Sequence, residues 1–183
     1  MRRATAATSE PPALTGLPPV LPRRVHVLIL GSFPSPASLQ AGQYYAHPRN
    51  WFWRVLAACD VAPAATAPYA TRIAAMRARG IGIWDLYQRV NRVGSGDDAI
   101  RDAEPNDLRA LWRERGPFRI VLNGRRRPEW RRLFRDLPVE PVCLPSTSPR
   151  PLHWNTEERI AAAIAEWCAA LTVETRPRPR RRD

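Results

Sequence analysis

The stretch VHVLILGSFP, residues 25–34, decides the fold class of this chain. Its first six residues form a continuous apolar run, which predicts a buried strand. Gly31 and Pro34 end the run, because glycine lacks a Cβ and proline presets φ. A backbone that turns this sharply can also be approached closely by a ligand. Taken alone, GSFP is more typical of a plain strand-to-helix turn than of a ligand site.

Outward from this strand, apolar runs alternate with helical patterns. Such alternation predicts an α/β fold in which helices cover both faces of a parallel sheet. The other predicted strands are IGIWDL (81–86), FRIVLNG (118–124) and PVCL (141–144). The predicted helices are NWFWRVLAACDV (50–61), YATRIAAMRARG (69–80), EPNDLRALWRERG (104–116), RPEWRRLFRDL (127–137) and ERIAAAIAEWCAALTVE (158–174), the last with a capping box of Asn155 and Glu158.

The length of 183 residues suits one domain with a sizeable core. Residues 1–22 are rich in Ala, Thr and Pro, which predicts a flexible N-terminal arm. Residues 176–183 are dominated by arginine, which predicts a disordered basic tail. The folded domain is therefore expected to span residues 23–175.

The charge is strongly positive, with 29 basic and 17 acidic residues, a net charge of +12 and a pI near 11.2. Without the last eight residues the chain still carries about +8. This excess favours a polyanionic partner, nucleic acid first and an anionic membrane surface second. No apolar run approaches the roughly 20 residues of a membrane span, so we expect no membrane insertion.

The three cysteines, Cys59, Cys143 and Cys168, are widely spaced and include no CxxC pair. This pattern argues against a disulfide scaffold, an iron–sulfur cluster or a structural zinc site. It favours a reducing compartment, and we expect a cytoplasmic, nucleoid-associated protein, bacterial in origin. The chain contains no lysine, which excludes a lysine Schiff base.

Small or polar residues follow each predicted strand. They are GSFP (31–34), Asp85, Asn123–Gly124 and PSTSP (145–149). Ligands of open parallel sheets bind outside the carboxyl ends of the strands. We therefore expect one pocket, built from four strand ends.

Each candidate in this pocket also has a plainer interpretation. Tyr45 is a stacking platform for a base or a core aromatic, and Asn50 is a site residue or the N-cap of the following helix. Asp85 is an acceptor for a base N–H, or a cap or ion-pair partner. Asn123 with Gly124 is a site element or a turn dipeptide. The hydroxyls of PSTSP suit phosphate contacts, and the arginines at 125–127 face DNA or only solvent.

Four stretches give these candidates a family context: GSFPSPASLQAGQYYAHPRNWFW (31–53), GIGIWDLYQRVNRVGSGDDAIRDAEPND (80–107), IVLNG (120–124) and LPSTSP (144–149). In this order they resemble the uracil-DNA glycosylase superfamily, and most closely its hypoxanthine-DNA (deoxyinosine) glycosylase branch, family six. The resemblance implies a three-layer α/β/α fold around a four-stranded parallel sheet, base flipping, and metal-independent hydrolysis of the N-glycosidic bond. One departure is GSGDDAI (94–100), where the branch has a pattern closer to GSLDSAI.

The resemblance also assigns roles by position. Phe33 replaces the Asp or Asn that positions water in relatives, and Leu144 replaces a catalytic histidine. Asn50 becomes the catalytic candidate, Tyr45 the platform for the flipped base, and Asp85 the reader of its edge. The expected base-pocket residues are Gly31, Ser32, Phe33, Tyr45, His47, Asp85 and Asn123. Ser146, Thr147, Ser148 and Arg150 are expected at the DNA backbone or minor groove.

The predicted function is that of a monofunctional DNA glycosylase, without cofactor, that removes hypoxanthine, uracil or both from DNA. We expect it to act as a monomer. The alternative is a non-catalytic binder of damaged or single-stranded DNA on the same fold, because Phe33 and Leu144 lack the usual catalytic groups.

Overall fold

The structure, a computed structural model, describes residues 13–92, 94, 96–124, 131–149 and 154–172. Its strands are β1 (Ala13–Thr15), β2 (Val27–Gly31), β3 (Ile81–Asp85), β4 (Tyr87–Asn91), β5 (Arg101–Pro105), β6 (Arg119–Asn123) and β7 (Val142–Leu144). Its α-helices are α1 (Pro36–Ala41), α2 (Phe52–Ala58), α3 (Tyr69–Ala78), α4 (Leu108–Arg115), α5 (Arg131–Phe134) and α6 (Glu157–Leu171). None of the helices in these ranges is long and apolar enough to span a bilayer.

The central sheet has the strand order β3-β2-β6-β7, and every neighbouring pair is parallel. The predicted four-stranded parallel sheet is therefore confirmed. Its register places Gly31 opposite Asp85 and Asn123 opposite Leu144. The polar residues that follow the strands consequently meet at one edge of the sheet.

Helices cover both faces of this sheet. Because side chains alternate along a strand, Val27 and Ile29 of β2 join a core cluster with residues of α2, α3 and α6. Leu28 and Leu30 of the same strand join a second cluster with residues of α4 and α5. The three-layer α/β/α arrangement is thus also confirmed.

A second sheet, antiparallel and of order β1-β4-β5, was not predicted. Residues 1–22 were expected to form a flexible arm, but residues 13–15 form β1 and pair with β4. Val20 also exchanges two backbone hydrogen bonds of 2.9 Å with Ile83 of β3. The packed part of the chain therefore begins before residue 23, while residues 1–12 and 176–183 lie outside the described residues.

Cys59 and Cys168 form a disulfide, so the expectation drawn from cysteine spacing is wrong. Cys59 caps the end of α2 and Cys168 lies within α6, and these two helices pack together. The two cysteines are 109 residues apart in sequence, which is why a search for local pairs did not connect them. Cys143 remains a free, exposed thiol.

The ends of two helices also differ from prediction. Helix α2 begins at Phe52, two residues after the expected start at Asn50. Helix α6 is capped by Thr156, whose hydroxyl accepts a hydrogen bond from the Arg159 N–H, and not by Asn155. At α6 the neighbouring polar residue offers the same capping chemistry as Asn155. At α2 the N-cap is Trp51, whose side chain makes no capping hydrogen bond.

Candidate active site

Gly31, Asp85 and Tyr45 converge where β2 and β3 end. Asp85 is only 3% exposed and lies directly opposite Gly31 in the parallel register. A Cβ placed on Gly31 would lie 2.5 Å from Asp85 Oδ1 and 3.2 Å from the Tyr45 hydroxyl oxygen. Because Gly31 has no side chain, the space beside the Asp85 carboxyl group and the Tyr45 hydroxyl group stays open.

The backbone around Asp85 is fixed by hydrogen bonds. The Asn106 side-chain amide donates to the Asp85 carbonyl oxygen over 2.9 Å, and the Leu86 N–H donates to the Gly31 carbonyl oxygen over 2.9 Å. Beside it, burial first and then the charge of Asp85 raise the pKa of Tyr44. The Tyr44 hydroxyl stays protonated and donates to the Leu17 carbonyl oxygen over 3.1 Å.

Tyr45 holds an uncommon backbone conformation, with φ of 55° in the left-handed region. Such conformations cost free energy in residues other than glycine and cluster at functional sites. The Tyr45 ring stacks on Phe52, with ring centroids 3.8 Å apart and an interplanar angle of 16°. Phe52 therefore covers one face of the half-buried Tyr45 ring.

Asn50 lies one residue before Trp51, the N-cap of α2, so it is not the N-cap that its plainer interpretation predicted. Its Oδ1 accepts a hydrogen bond of 2.9 Å from the Phe52 N–H, and its own N–H donates to the His47 carbonyl oxygen over 2.8 Å. His47 Nδ1 in turn accepts from the Arg49 N–H over 3.2 Å. The HPRN turn is thus held by local contacts, with a half-buried Asn50 at its end.

Trp51 and Trp154 join the HPRN turn to the PSTSP loop. The Trp51 N–H donates to the Thr147 carbonyl oxygen over 2.9 Å. Its ring stacks on Trp154, with centroids 4.9 Å apart and an interplanar angle of 10°. Trp154 Nε1 donates to the Ser146 carbonyl oxygen over 2.9 Å. The sequence alone predicts no role in the site for either tryptophan, and the only signal for Trp154 is its proximity to the loop.

Asn123 binds the PSTSP loop. Its Nδ2 donates to Thr147 Oγ1 over 2.8 Å, and its Oδ1 accepts from the Thr147 N–H over 2.9 Å. Thr147 is fully buried, so its hydroxyl faces the protein, in contrast to the expected DNA contact. Ser146 and Ser148 are half-buried and remain candidates for that contact, and Arg150 lies outside the described residues.

We expect Asn123→Ala to weaken DNA binding through this loop. The substitution leaves the Thr147 N–H and hydroxyl buried without their partner, at a cost of about 1–3 kcal/mol in the free energy of unfolding. Titration with a labelled duplex and thermal unfolding measure the two effects. Asn155→Ala is the control, because it removes an asparagine outside the site. A variant with wild-type stability and DNA affinity would contradict this role.

Phe33 and Leu144 are both buried, at 6% and 5% exposure. Leu144 belongs to the core cluster under α2 and α6, and the Phe33 ring lies near the guanidinium of Arg92. The Ser32 carbonyl oxygen accepts a hydrogen bond of 3.2 Å from the Tyr87 N–H. Sequence reasoning gave Arg92 no role, because one arginine among many carries no distinguishing pattern.

In the described ranges, no group of three or more His, Cys, Asp or Glu side chains is placed to hold a metal ion. The structure therefore brings together Gly31, Tyr45 and Asp85 at two strand ends. It links the turn of Asn50 to the loop of Ser146 through the tryptophan pair. These polar groups, close to stacked aromatic rings, suit a planar heterocycle with N–H donors.

Comparison with known proteins points to the same chemistry. A sequence model of the uracil DNA glycosylase superfamily matches residues 18–172. Proteins named hypoxanthine DNA glycosylase from Methanosarcina barkeri and Methanosarcina acetivorans are 34% and 35% identical over 134 residues, covering 73% of this chain and 85% of each relative. These relatives are archaeal, so they do not support the expected bacterial origin.

A solved structure is also similar. A solution NMR structure of a candidate uracil DNA glycosylase from Methanosarcina acetivorans has a TM-score of 0.72 and 32% identity. The match covers 87% of this chain and 99% of that one. Similarity of fold and sequence thus extends over nearly the whole described region.

Proposed function

The chain belongs to the uracil DNA glycosylase superfamily, and we propose that it is a DNA glycosylase that removes deaminated bases. We propose hypoxanthine as the main substrate, since the two named relatives are hypoxanthine DNA glycosylases. Uracil is the second candidate, because it also presents carbonyl and N–H groups along one edge. The proposal includes flipping of the base out of the duplex, since a glycosidic bond inside the stack is not accessible.

The observation that carries this proposal is the buried Asp85 carboxyl group opposite Gly31 and close to the Tyr45 hydroxyl. A carboxylate accepts hydrogen bonds only, so it would recognise an N–H on the edge of the base. Because Phe52 covers one face of Tyr45, a flipped base would stack on the other face. Stacking on an aromatic side chain contributes about 1–3 kcal/mol per base.

Asn50 would hold the attacking water. A carbonyl oxygen has two lone pairs, and the Phe52 N–H uses one of those on Asn50 Oδ1. The second can accept a hydrogen bond from water. That water adds to C1′ of the sugar as the C1′–N bond breaks, and its proton is balanced by protonation of the departing base. Hypoxanthine suits this route, because its purine nitrogens accept a proton.

The product would be an abasic site, with the DNA backbone intact. Cleavage of the backbone by a lysine Schiff base is impossible here, because the chain has no lysine. A proton-transfer group typically supplies about 10²–10⁴-fold of rate, which is only part of the acceleration that enzymes achieve. An asparagine in place of a strong base is therefore compatible with slower but real catalysis, helped by an easier leaving group.

A panel of damaged duplexes tests the proposal. Purified protein is incubated with duplexes that carry hypoxanthine, uracil, xanthine or no damage, and abasic sites are then cleaved with alkali. We expect alkali-dependent cleavage at hypoxanthine and little or no cleavage before alkali. Tight, salt-sensitive binding without any product would instead identify a non-catalytic DNA binder.

A further inference from the structure

Arg92 is a buried charged side chain that the proposed reaction leaves unused. It follows β4 and is only 5% exposed. Among the described residues, the charged side chains this deeply buried are Asp85 and Arg92. Both lie against the segment that leaves β2, at Gly31 and at Pro34 respectively.

Arg92 contacts the two residues at the centre of this turn. Its Nη2 donates to the Pro34 carbonyl oxygen over 2.6 Å, and its Cζ lies 5.0 Å from the centroid of the Phe33 ring. A hydrogen bond from an ionised donor is shorter and stronger than one between neutral groups. Arg92 therefore contacts both the peptide that follows Pro34 and the ring of Phe33.

The second sheet supplies these contacts from its β4 strand. Tyr87, the first residue of β4, donates its N–H to the Ser32 carbonyl oxygen over 3.2 Å. Arg92, just after its last residue, holds the Pro34 carbonyl oxygen. The turn that would border the flipped base is thus hydrogen-bonded at two points by residues in and just after β4, which belongs to the second sheet and not to the central one.

A purely packing role explains this arrangement less well. Burial of a guanidinium costs free energy, and an apolar side chain of similar volume is often as stable or more stable. An apolar side chain could not, however, donate to the Pro34 carbonyl oxygen. The hydrogen bond to the backbone of the turn therefore explains why a charged side chain is buried at this position.

We propose that Arg92 is a positioning residue, which keeps the turn of Phe33 and Pro34 in the geometry that cleavage requires. The inference rests on the proposed glycosylase activity. A displaced turn would shift the base relative to its sugar and to the attacking water, and a misplacement of about 1 Å can cost on the order of 10²-fold in rate. Binding of the duplex, which depends on phosphate contacts elsewhere, would change little.

Three variants test this role with a hypoxanthine duplex. Arg92→Met removes the donor, Arg92→Gln keeps a shorter neutral donor, and Arg92→Lys keeps a charged one. We expect Arg92→Met to lower kcat on the order of 10²-fold with KM within about twofold, Arg92→Gln to lower it about tenfold, and Arg92→Lys to recover most of the rate. The control is Arg89→Met, because Arg89 lies in β4, three residues before Arg92, but is exposed beside Glu104.

The outcomes separate this inference from the proposed function. Wild-type protein that cleaves no duplex overturns both. Active wild type together with folded Arg92→Met or Arg92→Gln of unchanged kcat overturns the positioning role alone, as does an equal loss in Arg92→Lys and Arg92→Gln. If Arg92→Met does not fold, the comparison of Arg92→Gln with Arg92→Lys decides. A loss confined to KM also contradicts the proposal.

Discussion

Gly31→Ala is expected to lower kcat/KM for a hypoxanthine duplex on the order of 10²-fold. The added Cβ would lie 2.5 Å from Asp85 Oδ1 and 3.2 Å from the Tyr45 hydroxyl oxygen, and the first distance is too short for a real contact. Neighbouring atoms must therefore move, and the nearest ones belong to Asp85 and Tyr45, the residues proposed to bind the base. A single methyl group therefore acts directly on the pocket.

The effect on stability should be smaller than the effect on activity. Extra methyl groups in packed regions typically cost about 1–3 kcal/mol, and the rotation of a short carboxyl side chain can relieve part of the contact. The same rotation moves the carboxylate away from the base edge. Circular dichroism and thermal unfolding, beside single-turnover kinetics on the duplex, measure both.

Gly82→Ala is the matched control on the neighbouring strand. A Cβ there would lie 3.1 Å from Leu21 Cδ2 and 3.2 Å from the Val20 carbonyl oxygen, away from the pocket. It should reduce stability without a selective loss of cleavage. Equal losses of activity in the two folded variants would show that crowding of the sheet, and not the pocket at Gly31, is responsible.

The fold and the gathering of polar residues at one edge of the sheet were predictable for the same reason. Strands β2, β3 and β6 are largely buried, so they appear in the sequence as apolar runs. The edge strand β7 is a shorter apolar run of which two residues are exposed. Polar side chains follow these runs, and in open parallel sheets this edge is the one at which ligands bind. This rule places Gly31 and Asp85 at the same edge of the sheet. The parallel pairing of β2 with β3 then puts the two residues directly opposite each other.

The second sheet was not predictable from the same signal. Strand β5, RDAEP, is almost entirely exposed and charged, and β4, YQRVN, has one fully buried side chain. Neither shows the alternation that marks a half-buried strand. Arg92 was missed as a consequence, because its burial depends on where β4 ends. The disulfide of Cys59 and Cys168 likewise depends on helix packing and not on sequence spacing.

Roles within the site were harder to predict than positions. Asn123 was expected to contact substrate, yet both ends of its side chain bind Thr147. An amide carries a donor and an acceptor, so it can satisfy a backbone N–H and a hydroxyl of a buried loop at once. Residue type alone does not distinguish that role from recognition of a base. Asn50 poses the same ambiguity, and a substitution can resolve it.

Asn50→Ser is expected to separate the local turn before α2 from catalysis. A serine hydroxyl makes the same kind of turn as asparagine, so it can replace the bond that Asn50 Oδ1 accepts from the Phe52 N–H with little loss of stability. Its shorter side chain cannot also reach a water beside the sugar. We therefore expect near-wild-type thermal unfolding together with a fall in kcat of about 10²–10³-fold on the hypoxanthine duplex.

Asn50→Asp and Asn50→Ala complete the comparison. Aspartate keeps an acceptor of the same length and should retain more activity than serine, while alanine removes the acceptor of the Phe52 N–H at a cost of about 1 kcal/mol and should also lose cleavage. If Asn50→Ser cleaves at the wild-type rate and only Asn50→Ala is impaired, the residue serves the helix alone. The water must then be held elsewhere, and Asp85 would be the first candidate because it is the buried carboxyl group at the same sheet edge.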